Sequence, residues 1–189
     1  MNNSVKLEKL PNNFMVDIKN LVWGFPFVGG LIIIISFLTP AATFIYQESS
    51  FYSEFYRWML DFYIAFDYMD GILTTTRFGL NTSITGYISY IVSFLIIGLT
   101  IFFLISVIRY KKRGLLPKIN WLGFPILIMV LTIAWMVMKE VSTILSYNHS
   151  FWGLLSPGFG IIGLFLGAGL QIAGYIFLKK TQKENKIFL

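Results

Sequence analysis

The side chains able to do chemistry in this 189-residue chain are few and scattered. There is one histidine, His149, with Glu140 nine positions before it. An enzyme acting on lipid at the outer interface would have Glu140, His149 and Asp61 as its only candidate polar groups. Asp61, Asp67 and Asp70 supply oxygens for a weak calcium site, but their spacing matches no known calcium loop, and solvated charge explains them better. A lone histidine is more often a surface residue than a metal ligand. The chain holds no cysteine, which excludes disulfides and thiolate metal sites. No Ser-His-Asp order, His-Glu-x-x-His, phosphate loop or Gly-x-Gly-x-x-Gly element occurs. The expectation is a non-enzymatic protein with no catalytic, cofactor-binding or metal-ligating residues and no cofactor.

Two further sets of residues suggest contact rather than catalysis. Gly160, Gly163, Gly167 and Gly174 recur at helical spacing in the last apolar run, and Gln171 falls on the same stripe. Small residues let membrane helices approach closely, and an amide can hydrogen-bond across the contact for roughly 0.6 kcal/mol, up to about 2. An intramolecular helix seam is preferred to a dimer interface or a ligand site. Ser36, Ser89, Ser93 and Thr100 could line a narrow aqueous path for a small neutral solute. Their hydroxyls can equally bond to carbonyls of their own helices, so packing is again the better reading. Lys139 and Glu140, adjacent near the end of the third run, are expected to snorkel to the interface.

The elements that would position these residues are four apolar runs, about Leu21–Tyr46, Tyr87–Ile108, Trp121–Met138 and Phe159–Leu178. Each is long enough to cross ~30 Å of hydrocarbon as a helix. None contains Asp, Glu, Lys, Arg or His. Composition agrees: 56% hydrophobic, 13% charged, mean hydropathy +0.71. A soluble domain carries about twice that charge. The expected fold class is an all-α membrane protein, a four-transmembrane-helix bundle with an ordered extracellular first loop. The spans are about 21–46, 87–108, 121–138 and 159–178. The outer loops are 47–86 and 139–158, the inner loop 109–120, and the tails 1–20 and 179–189. Pro40 predicts a kink near the end of the first span.

The net charge of +6 follows this organisation. Lys6, Lys9, Lys19, Arg109, Lys111, Lys112, Arg113, Lys118, Lys179, Lys180, Lys183 and Lys186 flank one side of the runs. Only Arg57, Arg77 and Lys139 fall on the other. The positive-inside rule places both termini and the loop after the second span in the cytoplasm. The protein is then a multi-pass protein of the cell membrane, whose basic flanks contact anionic lipid at the cytoplasmic face. No basic face suited to nucleic acid is evident. The first twenty residues lack the apolar core of a cleavable signal, so the first span is expected to serve as an uncleaved one.

The long outer loop is unusually aromatic. Phe51, Phe55, Trp58, Phe62, Phe66 and Met69 lie at helical spacing, with Glu54, Arg57 and Asp61 on another face. An amphipathic helix of about four turns is preferred. The alternative is a β-hairpin, favoured by the aromatics, the Asp70–Gly71 turn signal and the β-branched ILTTTRF that follows. Phe55, Trp58, Phe62 and Phe66 are the candidate outer-loop contact residues, either capping the helices or meeting a partner. Sequons occur at Asn2, Asn81 and Asn148, and Asn81 is a candidate glycosylation site.

The organisation resembles the claudin and peripheral-myelin-protein superfamily. The resemblance rests on both termini inside, a longer first outer loop, a short second one, and Trp58-Met59-Leu60 within the first. It covers most of the chain at the level of topology. The family's Gly-Leu-Trp motif is only echoed by Arg57-Trp58-Met59, and its two loop cysteines are missing. It implies a left-handed four-helix bundle with an extracellular cap, which can include a small β-sheet, and a role in adhesion, barrier formation or as an accessory subunit. The expected function is therefore a membrane scaffold, adhesion or accessory protein, associating with a membrane-protein partner or a second copy through its outer aromatic loop and helix packing. A channel for a small neutral solute is the alternative.

Overall fold

The computed structural model describes residues 23–113 and 121–187, with side chains through Lys180 except that of Arg113. In chain order the elements are α1 (Gly24–Ser36), β1 (Ala42–Glu48), β2 (Phe51–Arg57), β3 (Phe62–Met69), β4 (Ile72–Leu80), α2 (Ile84–Arg113), α3 (Gly123–Tyr147), the single turn α4 (Phe151–Leu154), β5 (Ser156–Pro157) and α5 (Phe159–Ile187). The five strands form one antiparallel sheet in the order β4-β3-β2-β1-β5. Three helices are long and apolar enough to cross a membrane: Ile84–Lys112 of α2, Gly123–Tyr147, and Phe159–Lys180 of α5. This is consistent with a membrane protein.

The all-α fold class is overturned. A five-stranded antiparallel sheet stands beside the helices, which an all-α four-helix bundle does not contain. The first apolar run does not continue as one helix to Tyr46. After Ser36 the chain closes with Phe37 N to Ile34 O (3.1 Å) and Leu38 N to Ile35 O (2.9 Å). These i→i−3 bonds tighten a helix end, and Pro40 cannot extend it. Residues from Ala42 then enter β1. The 13 described residues of α1 rise only about 20 Å, short of the hydrocarbon thickness. The other helices outrun their predicted spans, α3 reaching Tyr147 and α5 reaching Ile187. The expected tail 1–20, the loop residues 114–120 and residues 188–189 lie outside the described residues.

The amphipathic helix expected at 51–70 is also replaced. Those residues form β2, β3 and the turn between them. Tyr, Phe and Ile pack well on a pleated surface, and the cross-strand aromatic pairs are made. Tyr52 faces Tyr68 with ring centroids 5.5 Å apart, and Phe55 stacks on Tyr63 at 5.3 Å. The β3–β4 turn uses Asp70 (φ 51°) and Gly71 (φ 77°), the two positive φ values that a type I′ hairpin requires.

The helices pack against each other below this sheet. α1 lies chiefly along α5, and α3 touches both α2 and α5. One core at the sheet end gathers Ile33, Met59, Ile96, Ile128, Trp135 and Leu164. A second, at the far end, gathers Phe103, Val107, Trp121 and Leu178. At that far end Lys111 of α2 sits over the Trp23 ring at 3.8 Å, beside the start of α1. The basic ends of α2 and α5 thus lie away from the sheet.

Candidate functional site

The sequence-predicted contact residues are split by the pleat. Register places Phe55 on one face of the sheet and Phe62 and Phe66 on the other. Trp58 lies in the β2–β3 turn, stacks on Phe62 at 4.5 Å, and donates its indole N–H to Leu38 O (3.2 Å). All four are half-buried by neighbours rather than presented together. Within the sheet the two most exposed apolar side chains lie on β4 instead. Ile72 is 70% and Phe78 66% exposed, with Leu73 and Leu80 also exposed. β4 is the terminal strand of the sheet, so one side of its nine-residue backbone has no partner strand. Only one charged residue interrupts it, Arg77, which pairs with Asp67 at 2.8 Å. ILTTTRFGL gave a strand signal, but edge position depends on the order of strands, which no local pattern reports.

Beneath the sheet is a buried charge cluster that sequence reasoning missed. Asp61 closes the β2–β3 turn at φ 59°, a left-handed conformation that Asp tolerates. Its backbone N–H donates to Trp58 O (2.9 Å), and Trp58 N–H to Phe62 O (3.0 Å). Its carboxylate is fully buried. Oδ1 accepts from Arg57 Nε (2.6 Å) and Nη2 (2.5 Å). Oδ2 accepts from Lys139 Nζ (2.5 Å) and Asn81 Nδ2 (2.9 Å). One side chain thereby joins the end of β2, the segment after β4 and the middle of α3. Lys139 does not snorkel; it is 2% exposed, held by Asp61 and 5.7 Å from the Trp135 ring centroid. Asn81 also accepts from Ser83 N–H (3.0 Å) through Oδ1. Its amide is therefore occupied at both ends, and a glycan on it would have to break the cluster.

The remaining candidates are dispersed. Glu140 accepts from Trp152 N–H (3.1 Å), fastening α4 to α3, while His149 is exposed. Asp67 is held by Arg77 and Ser53, and Asp70 sits exposed in its turn. Among the described residues no three His, Cys, Asp or Glu side chains converge. Ser36, Ser89, Ser93 and Thr100 are all buried, and each hydroxyl donates to a carbonyl: Ile32, Thr85, Met59 and Ile96 respectively. Ser93 thus reaches across to the β2–β3 turn, and Ser89 also accepts from Trp135 Nε1 (3.0 Å).

On α5, Gly167 faces the carbonyl of Gly29, Gly163 faces Ser36, Gly174 faces Pro26 and Gly160 faces Thr39 and Ala41. The stripe therefore lies against α1 and the segment that follows it. Gln171 is fully buried in the same contact, and neither its amide nitrogen nor its oxygen has a hydrogen-bond partner.

On the outward sheet face, the Glu54 carboxylate accepts from Tyr52 (2.6 Å) and Tyr56 (3.0 Å). The bond to Glu54, followed by burial, pushes the Tyr52 phenol up to about 12. Burial and then the same carboxylate raise Tyr56.

Comparisons with protein families, with curated proteins and with solved structures find no match to this chain.

Proposed function

We propose that the chain is a non-enzymatic integral membrane protein that associates with a membrane-protein partner, or with a second copy of itself, through the exposed edge of its sheet. The observation that carries this reading is β4: a nine-residue terminal strand with Ile72 and Phe78 exposed and a single charge along it. Native sheets usually blunt such an edge with charge, proline or a cover, because unpaired strand groups recruit another chain. Addition of a strand supplies main-chain hydrogen bonds, and apolar side chains give selectivity. In this reading the sheet lies outside the cell, and the basic helix ends and both termini lie in the cytoplasm near anionic lipid. The resemblance to the claudin and peripheral-myelin-protein superfamily belongs to the same proposal; the five-stranded sheet is a counterpart of the extracellular cap it implies.

The test is chemical cross-linking in native membranes, with mass in mild detergent measured alongside. Ile72→Lys with Phe78→Lys charges the edge without touching the Asp61 cluster. Loss of the cross-linked species with retained thermal stability supports the reading. An unchanged cross-linking and mass profile in the double variant refutes it.

A further inference from the structure

The Asp61 cluster borders a cavity of about 730 Å³. One wall is the inward sheet face, with Phe55, Arg57 and Tyr63; another is the segment 80–85 leading into α2. The third is α3, which contributes Lys139, Ser142, Thr143 and Ser146. These four sit at i, i+3, i+4 and i+7, so they form one polar face along the helix. No carboxylate lines the cavity.

We propose that this cavity binds the phosphate group of an anionic ligand. Charge and donors both exceed what Asp61 can take. Arg57 and Lys139 share one carboxylate, leaving the cluster with an excess positive charge. Asp61 takes two of the five guanidinium N–H groups and one of the three on the ammonium. Its other acceptor position holds Asn81, so it is saturated. Lys139, 2% exposed, contributes its charge from within the wall, while Arg57, 18% exposed and 5.5 Å from the Phe151 ring centroid, is the cation that can face a ligand. The nearby carboxylates are committed elsewhere, Asp67 to Arg77 and Glu140 to Trp152 N–H. An oxyanion with three or more lone-pair-bearing oxygens supplies the missing charge and can accept from Arg57 and from the hydroxyls of Ser142 and Ser146. The volume suits a head-group-sized ligand. Because α3 is one of the helices apolar enough to cross a membrane, the source is either a lipid phosphodiester or free phosphate.

The test uses the full chain in nanodiscs of phosphatidylcholine, with two probes: added phosphatidylglycerol and inorganic phosphate. Lipid retention is read by native mass spectrometry and phosphate binding by thermal shift. Ser142→Leu with Ser146→Leu fills the cavity while leaving every charge in place. Lys179→Gln with Lys180→Gln removes charge at the opposite end of the helices. Phosphatidylglycerol retention that falls about tenfold in the serine variant, but not in the lysine variant, assigns a lipid source. The same pattern with inorganic phosphate alone assigns a free anion. Binding that is unchanged in the serine variant, lost only in the lysine variant, or absent for both probes overturns the proposal.

Discussion

Replacing Asp61 by Asn tests whether the buried cluster holds the sheet on the helices. Asn keeps the volume and accepts the left-handed φ of 59°, so backbone strain does not enter. What is lost is the charge that two cations share. Arg57 is 18% exposed and can turn toward water. Lys139, at 2%, cannot, and is left as an orphan charge. Breaking a buried pair from one side costs about 3–5 kcal/mol. For a chain of this size that is a fall in melting temperature of roughly 10 °C. The assay is thermal unfolding in mild detergent, followed by monodispersity on size exclusion. Adding Lys139→Met to Asp61→Asn removes the orphan ammonium and should restore about 2 kcal/mol or more. A single variant melting within about 2 °C of the wild type, or a double variant that falls by the sum of the singles, would refute the reasoning.

Other expectations follow from packing and titration. Gly167→Ala places a methyl against the Gly29 carbonyl and Ile33, and should cost about 1–3 kcal/mol in thermal stability. Gly98→Ala meets nothing within 4 Å and should be neutral or stabilising by up to about 1 kcal/mol; equal effects of the two would count against the α1–α5 seam. Folding favours the neutral phenol of Tyr52, so its stabilising contribution is intact below pH 10 and lost as pH rises through about 12. The ultraviolet titration difference between wild type and Tyr52→Phe should report that late midpoint, and Glu54→Gln should move it back toward 10. A midpoint indifferent to Glu54 would exclude the carboxylate as the cause.

The long apolar helices were legible because an uninterrupted run of that length has few other fates. The sheet was not, and the reason lies in the spacing of its aromatics. Phe51 and Phe55 are four apart, as are Phe62 and Phe66. A step of four returns to nearly the same face of a helix and to the same face of a strand, so both periods fit. Parity changes between Phe55 and Trp58, a step of three that ends in a turn and leaves Phe55 on the other face from Phe62 and Phe66. The Asp70–Gly71 signal did mark a real hairpin, because it reports backbone geometry rather than burial. The cluster at Asp61 was illegible for another reason. Its members, at positions 57, 61, 81 and 139, are brought together only by the tertiary fold. Lys139 near the end of an apolar run looked like an interface residue because α3 was expected to stop there, whereas it continues to Tyr147.

The two-residue strand β5 has a consequence for how the protein is made. It pairs with β1 at Ala42–Pro157 and Thr43–Ser156, although more than a hundred residues separate the partners in the chain. The ribosome has released β1 to β4 long before this seam can form. Until Ser156 emerges, the newborn chain exposes both sheet margins along their whole length; afterwards β1 is covered at Ala42 and Thr43, while its remaining residues and β4 stay open. Completion of the seam therefore ties the start of the last helix to the start of the first strand, since Gly158 N–H and Gly160 N–H also bond to Ala41 O and Pro40 O.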